Sequence, residues 1–181
     1  MKRELHTTRL RLRPLKEGDE SWLAALYSDP DVMHFIPGGA QPPQQAWASA
    51  HDLIYLDKLK LELGHWAIEE AATAKIHGWV ALKKLGDEIE IGYRLRKESW
   101  GSGIATEAAL RLLRHALDDL HLDRIVAINL RGNAASERVS TKIGLRFEKT
   151  YVQDGQEWRY FAISTRNGIL PRRSSPPNRT G

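Results

Sequence analysis

Between residues 87 and 120 the chain changes its apolar period from two to about 3.6 across a pair of glycines, and few folds accept that arrangement. In DEIEIGYRLR, residues 87–96, Ile89, Ile91, Tyr93 and Leu95 share one face of a strand, and Glu88, Glu90, Gly92, Arg94 and Arg96 share the other. From Ile104 onward Ala105, Ala108, Ala109, Leu112, Leu113, Ala116, Leu117 and Leu120 form one apolar helical stripe. The joint between them is WGSGIATEA, residues 100–108. The first turn of a helix leaves backbone N–H groups without partners and carries the positive end of the helix dipole. An anion docks well there, and a Cβ at position 101 or 103 would hold a phosphate away from those donors. Strand, bare loop and helix together read as a phosphate cradle in an α/β domain.

Two nucleotide cradles do not match. A dinucleotide fingerprint needs G-x-G-x-x-G, but position 106 is Thr and no acid ends the following strand. A P-loop needs Gly-Lys-Ser/Thr after its glycines, which is absent. A tight turn kept for packing explains the glycines without any ligand. The loop alone does not decide between that reading and a cradle.

The rest of the chain sets the fold class. TTRLRLRPL (7–15) alternates as a strand, with Leu10 and Leu12 on one face and Arg9, Arg11 and Arg13 on the other. Trp22, Leu23, Leu26 and Tyr27 have helical spacing, residues 29–43 are broken by prolines and Gly38-Gly39 into loop, and 44–62 reads as a second helix. HWAIEE and KIHGWVALKKL form two strands about a turn at 71–74. RIVAINL is a short buried strand, NAASERVSTKIG a helix stopped by Gly144, and strands 145–152 and 157–164 a hairpin turned at Asp154-Gly155. The order is β α α β β β α β α β β: an α/β fold with a mixed sheet of about seven strands and about four helices.

Length suits one domain, read as residues 1–165, with 166–181 a basic, disordered tail. The net charge of +4 equals the four arginines of 166–181, where there is no acid, so the body is neutral. A nucleic-acid domain carries its positive charge on the fold, so nucleic acid is not an expected partner. No apolar run reaches bilayer length and the first residues lack a secretory pattern, so no membrane partner is expected either. The chain has no cysteine, which excludes disulfides, thiolate metal sites and a cysteine nucleophile and fits a cytoplasmic protein. The seven histidines show no i, i+4 pair, so no metal is expected.

The stretch IEIGYRLRKESWGSGIATEAALRLL, followed by INLRGNAASERVSTKIGLRFE, resembles the GNAT superfamily of acyl-coenzyme A dependent N-acyltransferases. Within it the chain looks like the branch of ribosomal-protein N-terminal acetyltransferases, a likeness that extends to TTRLRLRPLKEGD and SDPDVMHFIPGG and covers about residues 7–165. One departure is Glu98, where the superfamily often has Gln or Arg. The resemblance implies a GNAT fold with acetyl-coenzyme A as cosubstrate. Its pyrophosphate would rest on the backbone of Trp100, Gly101, Ser102, Gly103, Ile104, Ala105 and Thr106. Its pantetheine arm would lie along Tyr93 to Leu95 in a gap between strands 88–95 and 124–130. Arg94, Arg96 and Lys97 either add charge-assisted contacts or are solvated strand-end charges. Arg138 and Lys142 are candidates for the adenine 3′-phosphate.

The implied reaction is direct attack of a neutral primary amine on the thioester, which asks for a base, an oxyanion donor and a proton for the departing thiolate. Glu90 is the first candidate base or amine anchor and Glu88, two residues away on the same face, the second; both are also plain solvent-face residues of an amphipathic strand. His34 and His65 are candidate relays. The backbone N–H of Tyr93 or Leu95 would serve the oxyanion by analogy. Asn133 and Ser136 are good helix caps, while the resemblance puts Asn133 on the pantetheine arm and Ser136 at the leaving sulfur. Phe35, His34, Trp66, Glu90 and Trp158 are candidate acceptor-site residues, with Phe35 and the tryptophans as core or cleft wall. Asp29, Asp31, Asp154 and Glu157 are candidates for an acidic lip. The expected partner is an amine-bearing acceptor, a protein or peptide α-amine ahead of a small molecule, met by a monomer or homodimer. Rival readings are a non-catalytic acyl-coenzyme A sensor and a nucleic-acid binder driven by the tail.

Overall fold

A computed structural model describes residues 2–59 and 62–165; the expected tail, 166–181, lies outside the described residues. The elements follow one another as β1 (Leu5–His6), β2 (Leu10–Pro14), α1 (Glu20–Ser28), α2 (Pro30–Met33), α3 (Pro43–Lys58), β3 (Gly64–Glu70), β4 (Ile76–Leu85), β5 (Glu88–Leu95), α4 (Ile104–Arg114), β6 (Arg124–Leu130), α5 (Ala134–Lys142), β7 (Arg146–Gln153) and β8 (Gln156–Ser164). They build one mixed sheet in the order β1-β2-β3-β4-β5-β6-β8-β7. The described residues thus hold eight strands and five helices against the seven and four expected. The extra strand is Leu5–His6, two residues paired with Leu12 and Arg11. The extra helix is a single turn, Pro30–Met33, inside the stretch read as loop; the Asp29 side chain caps it by accepting from the N–H groups of Asp31 and Val32.

Residue parity decides what each sheet face meets. Trp66, Ile68, Val80, Leu82, Ile91 and Leu95 point to the face covered by α4 and pack against Ala108, Ala109, Leu112 and Leu113. Ala67, Trp79 and Ala81 point to the other face and meet Trp22, Leu23, Leu26 and Tyr27 of α1 and Ala46, Ala50 and Ile54 of α3. Past Arg114 the apolar stripe of α4 continues through a wider turn, His115–Asp119, that keeps Ala116 and Leu117 buried.

Arg13, on the face of β2 opposite Leu10 and Leu12, carries its charge into the interior. It is buried, its two terminal nitrogens each bond Asp19 at 2.8 Å, and its Nε bonds Glu69 at 2.8 Å. Asp19 also accepts from Trp22 Nε1 at 2.8 Å and the Lys16 N–H at 2.9 Å. Burial pushes the Asp19 carboxyl up, but bonds from Arg13, Trp22 and Lys16 outweigh it, so Asp19 titrates below the ordinary carboxylate range. This network fixes the start of α1 to β2 and β3.

The feature that opens a site is the junction of β5 and β6. They run parallel, and across strands of eight and seven residues the ladder keeps one register pair, Glu90 with Val126. Beyond Glu90 the two strands separate.

Candidate active site

Two adjoining cavities occupy that gap. The first, about 580 Å³, runs from Tyr93–Leu95 past Trp100, Gly101 and Gly103 to the first turn of α4, and on its far side meets Asn133, Ser136, Arg138 and Lys142. The second, about 280 Å³, passes through the gap and is walled by Trp79, Lys83, Glu90, Gly92, Arg94 and Trp158, under Phe35 to Pro37. Tyr93, Asn133, Ser136 and Phe35 line both.

The loop side is made of backbone. Gly101 and Gly103 have φ of +73° and +81°, a region that costs a side-chain-bearing residue strain. A Cβ on Gly101 would point into open space, so the glycine is kept for its conformation and for what can approach it. No side chain caps α4, leaving its first N–H groups available. Ser102 turns its hydroxyl inward to the Ser99 carbonyl at 2.6 Å, and Ser99 Oγ meets His77 Nδ1 at 2.8 Å. Arg9 grips the loop from β2: both terminal nitrogens reach the Ser102 carbonyl at 3.3 Å, and Nε bonds Glu107 at 2.7 Å. Thr7 Oγ1 donates to the same carboxylate at 2.6 Å. Nothing in the local pattern of 7–15 marks Arg9 for this role, because the loop it holds lies about ninety residues on.

The α5 side carries the leaving-group candidates. Asn133 Oδ1 accepts from the Ser136 N–H at 3.1 Å, so it does cap α5. The Tyr93 hydroxyl donates to Ser136 Oγ at 3.3 Å. Burial pushes the Tyr93 phenol above its ordinary value, against the weaker pull of Ser136 and Arg138, so it keeps its proton at neutral pH.

On the opposite side the candidates separate. Glu90 stands in the second cavity with Lys83 Nζ 3.1 Å from its carboxylate. Glu88, the second candidate base, lines neither cavity; its carboxylate takes Arg124 Nε at 2.9 Å and the Tyr160 hydroxyl, which places it in a strand-crossing cluster. Tyr160 is pushed up to about 12, by burial first and then by that carboxylate. Trp66 lines neither cavity. Its parity turns it to the α4 face, where it is fully buried and donates to the Arg3 carbonyl at 3.0 Å. Arg96 lines neither cavity and has Glu98 3.9 Å away. His65 is a core residue held by Asp57 at 3.1 Å. Phe35, His34 and Trp158 do line the cavities. Phe35 stands near the Gly132 turn: a Cβ on Gly132 would lie 3.8 Å from its ring edge.

The acidic lip does not form as a free set. Asp29 caps α2, Asp31 takes Lys97 Nζ at 2.5 Å, and Glu157 takes Arg131 at 2.5 Å. Asp154 sits in the β7–β8 turn with φ +51°.

These features form one pattern: a sheet parted after Glu90, a bare loop, and an uncapped helix. Residues 9–146 match the acetyltransferase (GNAT) domain model. The chain belongs to the GNAT acetyltransferase family. Protein YkkB of Bacillus subtilis is 31% identical over 158 residues, covering 82% of this chain and 88% of that one. A GNAT acetyltransferase of Bacillus anthracis superposes with a TM-score of 0.79 at 23% identity, over 90% of this chain and 98% of that one. The fold is also shared with the ribosomal L7/L12 α-N-protein acetyltransferase RimL, solved with coenzyme A, at a TM-score of 0.75 and 16% identity over 90% and 98% of the chains. As a GNAT domain the protein is an acyl-coenzyme A dependent N-acetyltransferase. Its own residues fit that cosubstrate: unshielded donors at Gly101 to Thr106 for a diphosphate, an open strand edge at Tyr93 to Leu95, and two cations, Arg138 and Lys142, on the facing helix.

Proposed function

We propose that this GNAT enzyme transfers acetyl from acetyl-coenzyme A to a primary amine, the α-amine of a protein or peptide, by direct attack on the thioester. The observation that supports this is the parting of β5 from β6 after Glu90, beside the uncapped start of α4. It leaves strand-edge donors at Tyr93 to Leu95 for an extended arm and brings that arm's end to Glu90 and Ser136. Acetyl-coenzyme A supplies the activated acyl group. The loop from Trp100 to Thr106 holds its diphosphate, Arg138 and Lys142 meet its remaining phosphate, and the backbone N–H of Tyr93 or Leu95 faces the carbonyl oxygen. Glu90 anchors the amine and takes up its proton, directly or through water, while Lys83 holds the carboxylate in place. Ser136, in line with the Tyr93 hydroxyl, donates to the departing sulfur.

A small-molecule amine is the second reading. The position of Phe35, which lines the second cavity near the Gly132 turn, favours it, because its ring takes up space an extended acceptor would need. Either acceptor would be met in the cytoplasm. The test is thiol release from acetyl-coenzyme A with peptide N-termini and small amines, beside calorimetry with coenzyme A. Turnover on peptides supports the first reading and turnover on small amines alone the second. Tight binding with no turnover on any amine would instead leave an acyl-coenzyme A sensor.

A further inference from the structure

Arg94 lines both cavities, and no step of the reaction proposed above uses its charge. Its side chain leaves β5 on the face opposite α4, between the rings of Tyr27 and Trp79, each 5.2 Å from the guanidinium carbon. Its Nε is buried and has no acceptor. No carboxylate among the described residues pairs with it. The other charged groups that line the second cavity, Lys83 and Glu90, neutralise one another. The nearby acids Asp29, Asp31 and Glu157 are committed to a helix cap, to Lys97 and to Arg131. An arginine keeps its charge at any working pH, so the cavity holds one uncompensated, rigidly stacked cation. Packing alone does not account for it, since an apolar side chain would fill the slot between two rings without stranding a donor.

Strand geometry adds a direction. Glu90, Gly92 and Arg94 share a face, with the outer two Cα atoms about 13 Å apart. Gly92 leaves the floor between them bare. The face is therefore dipolar, a carboxylate at the reacting end and a guanidinium at the other. We propose that Arg94 binds a carboxylate on the acetyl acceptor, so that the enzyme favours amines that also carry an acid. This rests on the reading of the second cavity as the acceptor site. A carboxylate would give Arg94 the two-pronged partner its planar fork is built for. Two sources share that chemistry: a free amino acid-like molecule, or a peptide with an acidic residue next to its N-terminus.

The experiment uses the full chain and acetyl-coenzyme A with acceptors matched except for one acid. Aspartic acid α-amide is set against asparagine α-amide, and a hexapeptide with Asp second against the same peptide with Asn second. Thiol release gives kcat and KM, and calorimetry on the coenzyme A-loaded protein gives acceptor affinity. In at least one pair the acid should be preferred by about tenfold or more in kcat/KM, chiefly through KM; the responding pair identifies the source. Arg94→Met should bring that preference close to unity, with the Asn member as internal reference, and Arg94→Lys should restore part of it. Equal use of both members by the wild type overturns the proposal, as does a preference that survives in Arg94→Met. Should Arg94→Met fail to fold, the wild-type pairs alone decide. Preferential binding of the acid without turnover upholds Arg94 and removes the transfer reading instead; turnover without preference does the reverse. Neither binding nor turnover of any acid member overturns the Arg94 site.

Discussion

On the loop side of the β5–β6 gap the site is backbone: positive-φ glycines at 101 and 103, N–H groups at the uncapped start of α4, and the free edge of Tyr93 to Leu95. On the proposed acceptor side it is side chains brought from four separate places: Phe35 after α2, Trp79 of β4, Glu90 and Arg94 of β5, and Trp158 of β8. The first surface is written in one continuous stretch of sequence and depends little on charge. The second exists only once the sheet has formed in its register, and it leans on a buried ionic anchor beneath α1. Substitutions should therefore hurt the two surfaces in different ways.

The largest effect is expected far from the chemistry. Arg13→Met removes the cation that compensates Asp19 and Glu69, both buried. Breaking a buried network from one side costs about 3–5 kcal/mol, to be read in urea unfolding at neutral pH. If α1 carries the acceptor side, folded variant should lose acceptor affinity through Tyr27 before it loses coenzyme A affinity. An equal loss of both would break the division of the site into two surfaces.

Gly103→Val tests the other surface. A branched residue at φ +81° carries strain of about 1–3 kcal/mol, and the loop will relieve it by leaving its present shape. Coenzyme A affinity measured by calorimetry should fall roughly tenfold to a hundredfold, while the acid preference assigned to Arg94 stays. Ser136→Ala comes next. Turnover should drop about tenfold or more with acetyl-coenzyme A affinity held; unchanged turnover would remove Ser136 as the proton donor and leave it a cap.

This division also explains what could be read from sequence. The alternation of Ile89, Ile91, Tyr93 and Leu95 and the alanine-rich stripe of α4 are local periodicities, and both elements stand where expected. The loop was legible because glycine needs are local as well. The two-residue strand Leu5–His6 has no period of its own and exists through pairing with Leu12 and Arg11. Trp66 and Glu88 line neither cavity, each for its own reason. Alternation says which residues of one strand face together, not which sheet face holds the cleft, and Trp66 went to the α4 face. Glu88 lies before the strands part, where Arg124 and Tyr160 claim it. For Arg94 the sequence offered a cofactor contact or a strand-end charge, and neither reading could foresee its aromatic partners, because Tyr27 and Trp79 come from α1 and β4.

The smallest effect concerns a carboxylate that supports the backbone surface. Glu107 accepts from Thr7 Oγ1 and from the Arg9 backbone and Nε, and Arg9 in turn holds the Ser102 carbonyl. Burial pushes the Glu107 carboxyl up, but these donors outweigh it and hold it below its ordinary value. A carboxyl depressed by folding stabilises the native state above its unfolded pKa, about 4.3, and that contribution is lost as pH falls through the folded value. Glu107→Gln should thus be less stable than wild type by about 1 kcal/mol at pH 7, and the gap should close as the pH is lowered below 4. A gap that persists in acid would mean that Glu107 acts by shape rather than charge. A large loss of coenzyme A affinity at pH 7 would mean that the loop depends on the Arg9 clamp, and that the backbone surface is less self-sufficient than its glycines imply.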